Sequence, residues 1–330
     1  MTVLPPLRYL SAADVGAAMP PLAERLELAE ITLRALGQGA ELPAKIGVHP
    51  RQPGSLAHAM PALLRGAADD GGEDLIGAKW IVGFPDNPAI GLPTYHAQVI
   101  LNDARNGLPL AILDAGTITA QRTAAISGAA IKLFEPKHRG RAAAVVLLGA
   151  GVQARGHLPV IGWLLPGATL RIADVDRARA EALVVEAQST EGIAEAAVAS
   201  GVSQAVEGAD VVVSVVSFGP DHQALDPRWL GPETLFVAVD YDMQAPAALA
   251  REALFVVDER DQFVATRAGG SFAGYPDPAA TLGEALRDGL ARPDGRVLVS
   301  HLGVGLADVV FASAILKRAE ELGLGLLLPR

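Results

Sequence analysis

The sequence has no cysteine in 330 residues, which excludes disulfides, thiolate zinc sites, iron–sulfur clusters and a cysteine nucleophile. Its seven histidines, His49, His58, His96, His138, His157, His222 and His301, are scattered. No two stand four apart and there is no HExxH run, so a protein-bound metal is not expected. Basic charge is short as well: 27 Lys and Arg stand against 37 Asp and Glu, for a net charge of −10. Nucleic-acid binding needs the opposite balance. Long hydrophobic runs are missing too. The longest uncharged apolar stretch, "AAAVVLLGAGVQA" at 142–154, is too short to span a bilayer and is broken by glycines. The opening "MTVLPPLRYLSAADV" lacks the basic-then-apolar order of a leader. These absences together lead us to expect a cytoplasmic protein with neither a nucleic-acid nor a membrane partner.

What is present divides in two. The length suits two domains with a core each. Residues 21–37, "PLAERLELAEITLRALG", carry leucine and alanine at helical spacing, with Gly37 and Gly39 where the helix would stop. The texture then changes to short β-rich runs, "KIGVHP", "AKWIVGF", "HAQVILND" and "PLAILDAG", punctuated by Pro, Gly and Asn-Asp. This part reads as an α+β unit on a mostly antiparallel sheet. From about residue 140, "AAAVVLLG", "ATLRIADV", "ADVVVSVV", "LFVAVD" and "LFVVDE" alternate with helical segments. They are continuous apolar runs, as expected for strands of a parallel sheet covered on both faces. The fold class expected is α/β, a Rossmann-type doubly wound parallel sheet plus an α+β substrate and dimerisation domain. An amphipathic helix, "GLADVVFASAILKRAEELGLG", follows the last strand; its pattern suits closing the second domain or crossing back to the first.

"VVLLGAGVQA" supplies a GxGxxA motif, Gly149, Gly151 and Ala154, after a strand and opening a helix. The first glycine permits the tight turn, the second lets a pyrophosphate approach the backbone, and the small third residue lets helix and strand pack. Val152 and Gln153, inside the motif, join the glycines as cofactor-binding candidates. Asp174 ends the next strand at "RIADVD", where a carboxylate binds ribose hydroxyls and repels a 2′-phosphate. NAD is therefore preferred over NADP, although Arg171 and Arg177 are near enough in sequence to serve a phosphorylated ribose.

Charges are rare in the apolar runs of the first third, so Lys45, Lys79 and Arg122 stand out. A buried unpaired cation is costly, so each should reach solvent, an internal carboxylate such as Asp114, or an anionic ligand. Beside a dinucleotide domain, three cations suggest a small carboxylate substrate, with Arg122 making a bidentate contact. Clustered positive charge would also lower the Lys79 pKa. Asp242, in "VAVDYDMQAP", falls just past a parallel strand's C-terminal end, where α/β sheets place reacting groups; its neighbour Asp240 is the alternative.

The run from "AKWIVGFPDNPAIGLPTYHAQVILND" through "TITAQRTAAISG", "LLGAGVQARGHL" and "SHLGVGLADVV" resembles the ornithine cyclodeaminase/mu-crystallin family from about Lys45 onward. The resemblance implies a homodimer. Residues 1–125 with 304–330 would form the substrate-binding and dimerisation domain, and 126–303 the dinucleotide domain. It also implies that Lys45, Lys79 and Arg122 hold the substrate carboxylate, that Thr94, Arg122 and Thr123 touch the cofactor, and that Asp242 relays protons. The turn at His301 and Leu302 would border nicotinamide and substrate. Cyclodeaminases of the family carry a glutamate just before a Met-Pro pair, where this chain has His58. They also have an arginine in place of Lys45 and a PGK-like turn in place of "MQAP".

Three readings follow. The leading one is an NAD(P)H-dependent oxidoreductase acting on the C=N or CH–NH group of a small 2-imino or 2-amino acid, with Asp242, then Lys79, then His58 as proton-relay candidates. An ornithine cyclodeaminase-type ammonia lyase is the second, disfavoured by the missing glutamate. The third is a non-catalytic NAD(P)H or ligand binder, as mu-crystallin's lens role shows is open to this fold. His58 itself reads either as a core histidine or as a substrate-side residue.

Overall fold

The computed structural model describes residues 4–66, 73–137 and 140–330. His138 and the first three residues of the segment read for a leader lie outside the described residues. The chain forms two compact units, Met1–Arg122 with Val304–Arg330, and Thr123–Gly303.

The sheet of the first unit runs, in spatial order, Leu326–Leu328, Leu7–Leu10, Pro109–Asp114, Tyr95–Asp103, Leu75–Gly83, Leu56–Leu64 and Ala40–Glu41, with Ile46–Val48 also on Leu56–Leu64. All neighbours are antiparallel except Leu7–Leu10 beside Pro109–Asp114. The apolar run around His58 is thus a nine-residue strand, and it contains Pro61. Proline cannot donate to a ladder, and the strand accommodates it at a gap: Ile46–Val48 pairs with 57–59, Ala40–Glu41 pairs with 63–64, and neither reaches Pro61.

Period-two burial along these strands separates two faces. On Tyr95–Asp103, Ala97, Val99 and Leu101 are buried while Gln98 and Ile100 are exposed. The buried face is covered by the helix Gly305–Glu321, which packs on the three strands around Leu75–Gly83. The last amphipathic segment therefore belongs to the first unit. Close approach is possible because Gly305 lacks a side chain: a Cβ there would lie 2.6 Å from the Met60 carbonyl oxygen. The register puts Ile46, Val48, Ile76, Trp80, Ile100 and Leu110 together on the other face, and all six are exposed.

The second unit is an eight-stranded, all-parallel sheet in the order Ile193–Val198, Ala168–Ala173, Ala144–Leu148, Val211–Ser214, Leu235–Ala238, Val297–Ser300, Leu254–Val257 and Ala280–Thr281. Its central strands are buried along their whole length, which is why they read as unbroken apolar runs. Strand order reverses at Ala144–Leu148, the switch point at which open α/β sheets bind ligands. The chain leaving that strand is the GxGxxA loop.

Candidate active site

In the first unit, the helix Gly116–Leu133 carries Arg122, the strand Leu75–Gly83 carries Lys79, and the helix Gly305–Glu321 carries Asp308. Asp308 is fully buried and joins both cations: Lys79 Nζ lies 2.7 Å from Oδ2 and Arg122 Nε donates to Oδ1 at 3.2 Å. The internal carboxylate is therefore Asp308. The acid suggested by the sequence, Asp114, instead accepts the backbone N–H of Gly116. Two buried cations share one anion, so this group of three carries a net positive charge. The terminal nitrogens of Arg122 make no further hydrogen bond among the described residues. Burial, with the Arg122 charge beside it, pushes Lys79 down to about 7, so this lysine exchanges a proton near neutrality.

Lys45 is half-buried just ahead of the strand Ile46–Val48. His58 pairs across the sheet with Gly47, where a Cβ would come within 2.9 Å of the imidazole. Partial burial, then the charges of Lys45, His49 and Lys79, push His58 down to about 4. The ring is neutral at pH 7. Thr94 is half-buried just before the strand Tyr95–Asp103. Thr123, next to Arg122 on its helix, is buried.

In the second unit, the glycine loop has the shape a pyrophosphate needs. Gly149 has φ +100°, and a Cβ there would lie 2.8 Å from the Val215 carbonyl oxygen; at Gly151 a Cβ would meet nothing within 4 Å. The helix Val152–Leu164 begins at Gly151 with no side-chain cap, which leaves its first amides for an anion. Val152 is exposed, and Gln153 Oε1 is buried with no hydrogen-bond partner among the described residues. Asp174 accepts from Ala150 N at 2.7 Å and from Asp176 N at 2.8 Å, which ties the end of its strand to the loop. Arg171 donates to the Gln204 carbonyl and Arg177 pairs with Glu181. These residues fit an adenine dinucleotide with a free ribose.

A buried chain of hydrogen bonds starts on the loop's helix. His157 Nδ1 donates to the Gln153 carbonyl at 2.7 Å, and burial pushes this ring down to about 4. Its Nε2 is then an acceptor for Ser127 Oγ–H at 2.8 Å, and Ser127 Oγ accepts from His301 Nε2 at 2.8 Å. His301 is thereby held in one orientation. The turn after it is pinned too, since Gly303 N donates to Asp258 and Gln262 donates to the Gly303 carbonyl. The Leu302 side chain packs in the apolar core of this unit, so what this residue offers a ligand is its backbone.

Past the C-terminal ends of the central strands, Asp240 and Asp242 differ in surroundings. Asp240 accepts from Ser214 Oγ and Val216 N, and burial raises it to about 7. Asp242 accepts from Phe272 N at 2.8 Å, and His222 Nδ1 lies 3.0 Å from its other oxygen. Sequence reasoning missed both Asp308 and His222. A lone acid in the apolar stretch "GLADVVFASAIL", in a chain needing an anion for two buried cations, was the signal for Asp308. His222 carried none, because its partner is twenty residues further on and only the fold joins them.

The model of the ornithine cyclodeaminase/mu-crystallin family matches residues 10–322. The nodulation efficiency protein NfeD of Rhizobium meliloti is 33% identical over 331 residues, 98% of this chain and 98% of that one. The ketimine reductase mu-crystallin of Mus musculus is 29% identical over 250 residues, 74% of this chain and 76% of the relative. An archaeal alanine dehydrogenase, solved as a dimer with bound NAD, is 25% identical with a TM-score of 0.80 and covers 98% of both chains.

Proposed function

The chain belongs to the ornithine cyclodeaminase/mu-crystallin family, and we propose that within it this protein is a nicotinamide-dependent oxidoreductase acting at the C–N bond of a small 2-imino or 2-amino acid. The observation that carries this reading is the buried Lys79–Asp308–Arg122 group, whose net positive charge and open guanidinium edge suit a carboxylate. Arg122 and Lys79 bind that carboxylate, with Lys45 beside them. Gly149, Gly151, Val152 and Gln153 hold the pyrophosphate, Asp174 the adenosine ribose, and Thr94, Thr123 and the His301–Leu302 turn the remainder of the dinucleotide. When bound, the reduced nicotinamide supplies a hydride to the imine carbon. The carbon accepts it once the imine nitrogen is protonated, so a proton must be delivered to that nitrogen; Asp242, as part of a proton relay, and Lys79 serve that delivery.

NAD is favoured over NADP because the residue assigned to the ribose, Asp174, is a carboxylate, while Arg171 and Arg177 are engaged elsewhere. A reductase or dehydrogenase is favoured over a cyclodeaminase because His58 is neutral at pH 7 and offers no anion to a distal ammonium. The exposed apolar sheet face of the first unit supports a homodimer, and no described helix is long and apolar enough to cross a membrane, in keeping with a place in the cytoplasm. The test is NADH oxidation with cyclic 2-carboxy imines and with 2-oxo acids plus ammonia. Turnover of one of them is expected. Ammonia release from a diamino acid with no net change in NADH would instead make the protein a cyclodeaminase, and tight NADH binding without turnover would make it a binder.

A further inference from the structure

Among the described residues only three other than glycine have a left-handed backbone, Gln223 at φ +55°, Tyr241 at +59° and Phe272 at +57°. Such conformations cost roughly 1–3 kcal/mol each and persist where surrounding structure enforces them. All three surround one pair of side chains. Gln223 follows His222, Tyr241 precedes Asp242, and Phe272 gives its N–H to Asp242. Each is locked in place. The Gln223 N–H donates to the Asp242 carbonyl at 2.7 Å, and its side chain bridges Ala273 and Ala247. Tyr241 stands edge-on to Phe218 at 5.1 Å and stacks on Phe272 at 5.8 Å.

The strained segments bring together a fixed carboxylate and an accessible imidazole. Asp242 is 3% exposed and His222 is 45% exposed. Each Asp242 oxygen has one partner, the Phe272 amide on one side and His222 on the other. A carboxylate accepts, so His222 Nδ1 carries a hydrogen and its Nε2 is the atom left for proton exchange.

We propose that His222 is the proton donor of the reaction and that Asp242 is its positioning residue. This rests on the reading of the protein as an oxidoreductase of imines. In reduction, the ring first takes a second proton on Nε2 from solvent, and this imidazolium passes it to the imine nitrogen as a hydride from the reduced nicotinamide reaches the imine carbon; the C=N bond becomes CH–NH, the nicotinamide is oxidised, and the ring returns to its neutral Nδ1–H form. In the reverse direction the same nitrogen takes the amine proton.

The experiment compares wild type with His222→Ala in reduction of a cyclic 2-carboxy imine, with and without added imidazole, alongside NADH affinity by fluorescence. The variant should lose about 10²–10⁴-fold in kcat, the range of general acid catalysis, keep its NADH affinity, and recover part of its rate when imidazole is added. Nitrogen NMR of the His222 ring should show the Nδ1–H form in wild type and lose it in Asp242→Asn. Full activity in His222→Ala, or a loss that imidazole does not restore, would overturn the proposal, as would an Nε2–H tautomer in wild type. A wild type that binds NADH yet reduces no imine would overturn the functional reading instead, and the ring tautomer would still report on the pair.

Discussion

Lys79 and Arg122 are buried cations whose shared partner, Asp308, is the most consequential acid of the first unit. Asp308→Asn leaves both charges without their carboxylate, and breaking a buried pair in this way costs about 3–5 kcal/mol; urea unfolding should register a loss of that size. Lys79 also gives stability a pH dependence of known sign. Burial penalises its charged form and lowers it to about 7 in the folded chain, while the unfolded chain keeps its proton up to the ordinary lysine range. Within that window the unfolded state binds more protons, so wild type gains stability over Lys79→Met as pH rises, and the gain levels off below about 7. A difference between the two proteins that stays flat across the window would mean that Lys79 titrates normally. The sequence marked the two cations as needing a counter-charge but not which acid supplies it, because Asp308 is separated from them by most of the chain.

The glycine loop was the most legible element, since each glycine answers a separate steric demand and the strand before it is a plain apolar run. Gly149→Ala forces a side chain into a left-handed position and to 2.8 Å from the Val215 carbonyl oxygen. NADH binding should weaken by at least about tenfold, or ~1.4 kcal/mol, as read by calorimetry; an unaltered affinity would remove the loop from the cofactor site. The central parallel strands were equally plain, being buried on both faces. Ile193–Val198 was not, because it is a largely exposed edge strand whose alanine-rich sequence, IAEAAV, has no strand periodicity. The last helix was recognisable from its periodicity, which says that a face is buried but not against which sheet.

For the whole molecule, the proposed homodimer would use the exposed apolar face around Trp80, Ile100, Ile46 and Val48. Trp80 is 47% exposed, so Trp80→Glu should leave the fold intact while shifting sedimentation from dimer towards monomer; an unchanged dimer would put the interface elsewhere. The origin of the first unit in both ends of the chain has a consequence for the order in which the protein comes into being. The second unit is continuous from Thr123 to Gly303, whereas the first needs Asp308 and the helix Gly305–Glu321, which follow the whole of the second unit in sequence. Domains ordinarily fold in order of synthesis. The first unit instead draws the anion of its cation site from beyond the second unit, so a chain cut after Gly303 would keep the glycine loop whole and lose the carboxylate that joins Lys79 to Arg122.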